Sequence, residues 1–240
     1  MKNLFKMKRP GELEMSKITQ MFFEQWNPLS EQHRQMLMDH IKVEVFKREE
    51  AIQRTGERPE FMAFLMQGKV KIIKEGVGEH YQIVRIVKPG ESFGYRAYFT
   101  NDLYKATAVA LETTFIVFVP ITVVVKLMYE DSNIGMLMIR QLAAALGTAD
   151  NRIVCLTQKH IRGRLADTLL MLYDRYGVEA DGCTLGIYLS RKDLASLSNM
   201  TTSNCIRTLS EFAKSDYVVV NGRRIRLLDI AELRRISAEE

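Results

Sequence analysis

The residues of this chain best suited to chemistry lie in one short stretch, between Thr201 and Arg226. Thr202, Ser203 and Asn204 are small polar side chains, and Arg207 follows them one helical turn later. Hydroxyls and amides of that size can approach the edges of nucleic-acid bases without steric cost. An arginine can offer guanine two parallel donors. Arg223, Arg224 and Arg226 follow and put positive charge where phosphates would lie. No comparable set serves catalysis. The chain has four histidines, and no HxH, HExxH, GxSxG or phosphate-loop pattern and no Cys–His pairing is expected to serve as a site. It therefore lacks the convergent nucleophile, base and acid, or metal site, that an enzyme needs. The sequence reads as that of a non-enzyme with no metal centre.

The elements that must position these residues are legible around them. Ser190 is a good helix N-cap, and Asp193 stands three residues later, a capping-box spacing. Leu194 and Leu197 give that helix an apolar face. Ser198-Asn199 interrupts it, because short polar side chains compete for backbone hydrogen bonds. Thr201 or Thr202 can cap a second helix, whose apolar residues are Cys205, Ile206, Leu209, Phe212 and Ala213. Tyr217 to Val220 and Ile225 to Leu227 then flank Asn221-Gly222, a type I′ hairpin signal. Two capped helices and a basic hairpin in this order suit a compact domain that presents one helix to a DNA groove.

The chain is long enough for one large or two modest domains, and its 47% hydrophobic content supports real cores. Residues 158–240 carry 13 Lys and Arg against 11 Asp and Glu. A nucleic-acid footprint must therefore come from placement rather than bulk charge. Three scattered cysteines, Cys155, Cys183 and Cys205, point to a reducing cytoplasm rather than a disulfide framework. No apolar run is long enough for a transmembrane helix, so no membrane partner is expected. The start, MKNLFKMKRPGELEM, lacks the apolar core and cleavage site of a signal peptide.

Residues 12–40 alternate helical patterns with a break at Asn27-Pro28. Short β-rich runs follow: Phe61–Met66, Val70–Lys74, Tyr81–Val87, Ala106–Leu111 and Phe115–Val119, punctuated by glycines and prolines. That texture predicts an antiparallel β-barrel or jelly roll. After a helical lead-in at Thr122–Tyr129, Asn133–Leu156 reads as one long helix. Its residues Ile139, Leu142, Leu146, Ala149, Ile153 and Leu156 step by alternate threes and fours, an a/d seam expected of two helices that pair. The alternative is a helix packed on its own barrel. Ile161–Tyr176 is a further helix, residues 177–186 a glycine-rich loop, and Ile187–Leu189 a short strand. The expected fold class is α+β: a β-barrel or jelly-roll sensor domain with N-terminal helices (1–132), a dimerisation helix (133–157) and a winged helix-turn-helix domain (158–240).

That order resembles the CRP/FNR family of bacterial transcription regulators. The resemblance rests on VKPGESFG (Val87–Gly94), FLMQGKVKI (Phe64–Ile72), GRLADTLLML (Gly163–Leu172) and LSRKDLASLSNMTTSNCIRTLSEF (Leu189–Phe212). It implies a homodimeric regulator on an inverted-repeat operator in double-stranded DNA. It places base-reading positions on Thr202, Ser203, Ile206 and Arg207, and phosphate contacts on Ser190 and Arg191, with Arg223 and Arg224 on the hairpin. Many members have glutamate where this chain has Ser203. A hydroxyl is less selective than a carboxylate, which accepts from cytosine N4, so the half-site should differ. Loop 177–186 falls where members can touch RNA polymerase.

In members that bind cyclic nucleotides, a glutamate holds the ribose and an Arg-Ser pair takes the phosphate. The matching segment is Gly94 to Ala108, and it puts Tyr95 at the glutamate and Lys105 and Ala106 at the pair. Lysine replaces a bidentate clamp only as a point charge, which argues against cyclic AMP. Gly94, Tyr95, Arg96, Lys105 and Ala106 are the candidate effector residues. They line a cationic pocket for another small ligand, or Tyr98 and Phe99 pack the barrel while Arg96 and Lys105 face water. The effector is unidentified and no cofactor is required. An iron–sulfur cluster of the family's kind is excluded, since the first 154 residues hold no cysteine. Haem would need an axial ligand. His33, His40, His80, His160 and 13 methionines are available by type, but no spacing selects haem or zinc. A cyclic-nucleotide module that regulates a protein partner is the third class, and it would not need the capped helix pair or the hairpin.

Overall fold

The computed structural model describes residues 20–24, 26, 29–76 and 81–240. Residues 12–19, Asn27-Pro28 and His80 lie outside them. Two compact units divide the chain, one reaching Gln141 and one running from Leu142 to Glu240, with Tyr81–Ile83 grouped with the second.

In the first unit residues 20–24 are helical, and α1 (Glu31–Met38) follows, capped by Ser30, whose hydroxyl accepts from the His33 amide at 3.1 Å. Eight strands follow among the described residues: β1 (Lys42–Phe46), β2 (Ala51–Gln53), β3 (Phe61–Gln67), β4 (Val70–Glu75), β5 (Tyr81–Val87), β6 (Ser92–Phe93), β7 (Thr107–Ala110) and β8 (Thr114–Pro120). A short helix, α2 (Arg96–Phe99), lies between β6 and β7. Helix α3 (Ile121–Glu130) follows β8 directly.

The strands form two four-stranded sheets, ordered β1-β8-β3-β6 and β2-β7-β4-β5. Neither closes, so the expected β-barrel or jelly-roll sensor domain is not what this chain forms. Closure requires the two edge strands of a sheet to pair with each other. Here β1 and β6 are the edges of one sheet and β2 and β5 the edges of the other. Strands as short as Ser92–Phe93 and Ala51–Gln53 offer few groups for pairing. Strand spacing and turn residues are shared by closed and open arrangements, so the sequence did not carry the distinction.

Strand β3 shows why its sequence, FMAFLM, is apolar throughout. Met62, Phe64 and Met66 join a core with Phe22, Trp26, Leu37 and the buried face of α3. Ala63 and Leu65, on the opposite face, pack with Val70, Val87, Ala108 and Ala110 of the other sheet. A strand buried on both faces has no polar alternation to show.

Helix α4 (Ser132–Gln158) spans 27 residues. Ile134 and Met138 are buried, whereas Ile139, Leu142, Leu146 and Ile153 are 59%, 37%, 64% and 60% exposed. Ala149 is also exposed and Leu156 half-buried. Ile139, Leu142, Leu146 and Ile153 form an apolar stripe along the helix that is exposed in the single chain.

The second unit continues with α5 (Ile161–Tyr176), α6 (Arg191–Leu197), α7 (Thr202–Lys214), the hairpin β9 (Val218–Asn221) and β10 (Arg224–Leu227), and α8 (Ile230–Glu239). Leu165, Leu169, Leu172, Leu194, Leu209, Phe212, Leu233 and Ile236 are all buried. Each fully buried side chain of this size contributes about 1.5–3 kcal/mol. A polar cluster joins the end of α4 to α5 and α8. Lys159 Nζ donates to Asp167 Oδ1 at 2.7 Å and to Ser237 Oγ at 2.9 Å, and the Cys155 thiol donates to Asp167 Oδ2 at 3.2 Å. Burial, then the neighbouring carboxylate, pushes the Cys155 thiol up to about 11, so it stays a neutral donor.

The expected strand at Ile187–Leu189 is absent. Leu185, Ile187 and Leu189 are buried in alternation, which produced the strand-like pattern. The pairing with β10 is made three residues earlier. The Leu185 amide donates to the Ile225 carbonyl and the Leu227 amide to the Cys183 carbonyl, both at 2.9 Å.

Candidate nucleic-acid interface

Helix α6 begins where Ser190 caps it. The Ser190 hydroxyl accepts from the Asp193 amide at 3.0 Å and donates to Asp193 Oδ2 at 2.6 Å. The helix stops at Ser198, whose hydroxyl turns back to the Leu194 carbonyl at 2.9 Å. Asn199 then takes φ 50°, a left-handed conformation that asparagine tolerates better than most residues. Thr201 restarts the helix as the cap of α7, accepting from the Asn204 amide at 3.2 Å.

The helical repeat divides α7 into two faces. Cys205, Thr208, Leu209 and Phe212 are buried. Thr202, Ser203, Ile206, Arg207 and Ser210 are exposed. The expected grouping of Ile206 with the apolar face is corrected: it is 49% exposed and stands among the polar residues. Arg207 does not swing freely, since its Nη2 donates to Asn204 Oδ1 at 3.0 Å. Asn204 thus acts as a support as well as a polar group at the helix start, and its position three residues before the arginine is a helical contact spacing that signals this.

The hairpin differs from its expected form. Asn221 pairs with Arg224, so the loop is Gly222-Arg223 and not Asn221-Gly222. Gly222 has φ 56°, whereas Arg223 is not in the positive-φ region. That pattern belongs to a type II′ turn, which needs glycine only at its first central position. The shift leaves Arg223 at the tip and Arg224 at the first strand residue, both exposed. The Arg224 guanidinium stacks 5.5 Å over the Tyr188 ring. Arg226 turns away from the tip and donates to Cys183 Sγ at 3.3 Å, with Asp181 3.9 Å off. Arg191, at the first residue of α6, reaches across to the hairpin. Its Nη2 donates to the Gly222 carbonyl at 2.6 Å, and its Nη1 is buried with no hydrogen-bond partner among the described residues.

Loop 177–186 is held together rather than loose. Val178 bridges Leu185, and Thr184 bridges Arg226. Asp181 accepts from the Thr184 hydroxyl at 2.6 Å and from the Thr184 and Cys183 amides at 2.8 and 3.1 Å. These bonds, the Thr184 hydroxyl first, hold the Asp181 carboxyl well below the usual carboxylate range.

The effector positions in the first unit do not converge in the same way. Gly94 has φ 86°, and a Cβ there would meet Gln53 Oε1 at 2.9 Å and the Phe61 carbonyl oxygen at 3.2 Å. Tyr95 is 3% exposed and belongs to the core with Phe22, Trp26 and Phe64. Arg96 is exposed, and Ala106 is half-buried. Lys105 is 67% exposed and pairs with Asp102 at 2.8 Å. A cleft of about 430 Å³ in this unit carries Glu57 and Glu60 against Arg58 alone. Burial, then those two carboxylates, pushes the Tyr104 phenol on its wall up to about 12.

The expectation about GxSxG is corrected in one respect: Gly90-Glu91-Ser92-Phe93-Gly94 does have that spacing of a hydrolase nucleophile turn. Ser92 lies on strand β6, is buried, and donates to Gln141 Oε1 at 3.3 Å, so it is no exposed nucleophile. His33 faces Glu130 at 3.4 Å and His40 the Met36 carbonyl at 2.7 Å. No group of three or more His, Cys, Asp or Glu among the described residues is placed to hold a metal ion. No described helix is long and apolar enough to cross a membrane.

Comparison with known proteins agrees with this geometry. Residues 43–131 match the cyclic nucleotide-binding domain and residues 163–236 the Crp-like helix-turn-helix domain. Over 186 residues the chain is 26% identical to the global nitrogen regulator of Nostoc sp., a match covering 76% of this chain and 83% of that protein. Over 191 residues it is 22% identical to the CRP-like cAMP-activated global transcriptional regulator of Mycobacterium tuberculosis, covering 79% and 85%. The structure of FixK2 from Bradyrhizobium japonicum shares the fold with a TM-score of 0.75 at 21% identity, covering 83% of this chain and 98% of that one. Sensor-type domain, pairing helix and winged helix-turn-helix together make this chain a member of the CRP/FNR family of bacterial transcription regulators, a homodimeric, sequence-specific DNA-binding protein and not an enzyme.

Proposed function

We propose that the dimer binds an inverted-repeat operator through Thr202, Ser203, Ile206 and Arg207, with Ser190, Arg223 and Arg224 on phosphates. The observation that carries this reading is the exposed face of α7, where small polar groups and a buttressed arginine share one side of the helix. Ile206 adds an apolar surface suited to a thymine methyl group. Two-fold pairing along α4 sets half-site centres about one turn apart, ~34 Å.

The same reading places the protein in the cytoplasm, with the clipped loop 177–186 as its surface for RNA polymerase. The sensor unit answers to a small ligand other than cyclic AMP, or it works without one. The relative from Mycobacterium tuberculosis is named for activation by cAMP. In this chain Tyr95 is taken up by the core and Lys105 by Asp102, so neither supports that ligand.

Selection of bound sequences from random duplex DNA tests the proposal. The expected product is a two-fold symmetric site. Arg207→Ala should cost about 1–3 kcal/mol and relax preference at one base pair of each half-site. Selected sites without symmetry would remove the dimeric reading mode. An even loss across all sequences would make Arg207 a phosphate anchor instead.

A further inference from the structure

We propose that Arg191 is a positioning residue that latches the hairpin to the helix pair, so that it serves DNA binding through Arg223 and Arg224 rather than by meeting a phosphate itself. An arginine clamps a phosphate by presenting two parallel donors on one open edge. The end-on edge of Arg191 is turned into the protein and partly occupied. Its Nη2 gives one of its two hydrogens to the Gly222 carbonyl at 2.6 Å, and its Nη1 is withdrawn from solvent with no hydrogen-bond partner among the described residues.

The bond falls at the point of the hairpin that most needs fixing. Gly222 is the positive-φ residue of the two-residue turn, and Arg223 is the next residue. A two-stranded hairpin is marginal without support. A charge-assisted bond to its turn carbonyl fixes where the turn, and both arginines after it, stand relative to α6. One side chain on the first helix of the pair thus holds the hairpin turn in place.

The inference rests on the reading of Arg223 and Arg224 as phosphate contacts, and two measurements on the full-length dimer separate the two ideas. Hydrogen exchange of residues 218–227 in the free protein tests the latch alone. Exchange should quicken in Arg191→Ala and stay at the wild-type rate in Arg223→Ala. Operator binding across a salt series tests the consequence. Removing one phosphate anchor should lower the slope of log K against log salt by about 0.9. Arg223→Ala should lower it by one such step. Arg191→Ala should lower it by more than one, with an affinity loss of roughly tenfold or greater. The double variant should bind little worse than Arg191→Ala. Should Arg191→Ala not fold, Arg191→Lys keeps the charge and removes the planar fork, and its hairpin should exchange faster. Unchanged exchange in these variants would overturn the latch. So would additive losses with one slope step each, which would make Arg191 an independent phosphate anchor. An Arg223→Ala variant with wild-type affinity and slope would instead overturn the phosphate reading of Arg223, and with it the purpose of the latch.

Discussion

The reading helix and the effector segment contain similar residue types, yet only one of them forms a coherent surface. From Thr202 to Ser210 the helical repeat puts five exposed side chains on one face, and Asn204 holds the arginine among them. From Gly94 to Ala106 the chain passes through a strand end, a four-residue helix and a loop. Tyr95 goes into the core, Arg96 faces solvent and Lys105 pairs with Asp102. A polar or charged residue becomes part of a site only when one regular element sets its direction and a neighbour limits its rotamers. The same contrast holds for the hairpin. Arg224 is supported by Tyr188, while Arg226, two residues on, is drawn to Cys183 and Asp181.

The largest expected effect comes from separating the two reading helices of the dimer. Leu142→Glu with Leu146→Glu puts four carboxylates into the paired seam and should give monomers by sedimentation. Those residues are exposed in the single chain, so the monomer should still fold. Operator affinity should fall by about 10²–10⁴-fold, the gain that linking two half-site contacts supplies. The face of α7 would be intact, so the loss would lie in pairing alone. An unchanged dimer would show that the stripe of α4 is not the interface.

How much could be read from the sequence follows the same division. Helix α5, the caps at Ser190 and Thr201, and the strands β3, β4 and β5 are set by local patterns of period, cap and turn. The structure places them at or within a residue or so of those signals. Sheet closure was not legible, because it depends on which edge strands meet and not on their spacing. The hairpin loop shifted by one residue because Asn221-Gly222 and Gly222-Arg223 are both good turn pairs. The choice between them is made by strand register, which brings Asn221 opposite Arg224. Partners far apart in sequence, such as Arg191 with Gly222 or Arg224 with Tyr188, leave no periodic trace.

A smaller effect is expected at the cluster that joins α4 to α5 and α8. Burial pushes the Asp167 carboxyl up. Hydrogen bonds from Lys159 and Cys155, the Lys159 charge and the Ser237 hydroxyl outweigh it and leave the group below its ordinary value. A carboxylate lowered in the folded state stabilises the protein above its unfolded value, about pH 4, and that contribution fades as pH falls through the folded value. Asp167→Asn should therefore be less stable at pH 7, by about 1 kcal/mol for a pair that is partly exposed. Its melting temperature should fall less than the wild type's between pH 5 and pH 2. Parallel curves for the two proteins would mean that another acid carries the pH dependence.

The smallest expected effect is none. Titration of the dimer with cyclic AMP in a calorimeter should give no heat of tight binding, and operator affinity should not change. A cyclic phosphate needs a clamp, and a ribose needs an acceptor, both facing one cavity. Tyr95 would have to leave a core in which it is 3% exposed, and its phenol would replace a carboxylate. Lys105 would have to leave Asp102, whose carboxyl that lysine holds below its ordinary value, and would then offer a point charge in place of a fork. The cleft with Glu57 and Glu60 on its wall repels rather than gathers an anion. A micromolar affinity accompanied by tighter operator binding would show that Tyr95 and Lys105 can do the work of the glutamate and the Arg-Ser pair. The effector segment would then be as organised as the reading helix, and the difference between the two regions would lie in how easily each rearranges around its ligand.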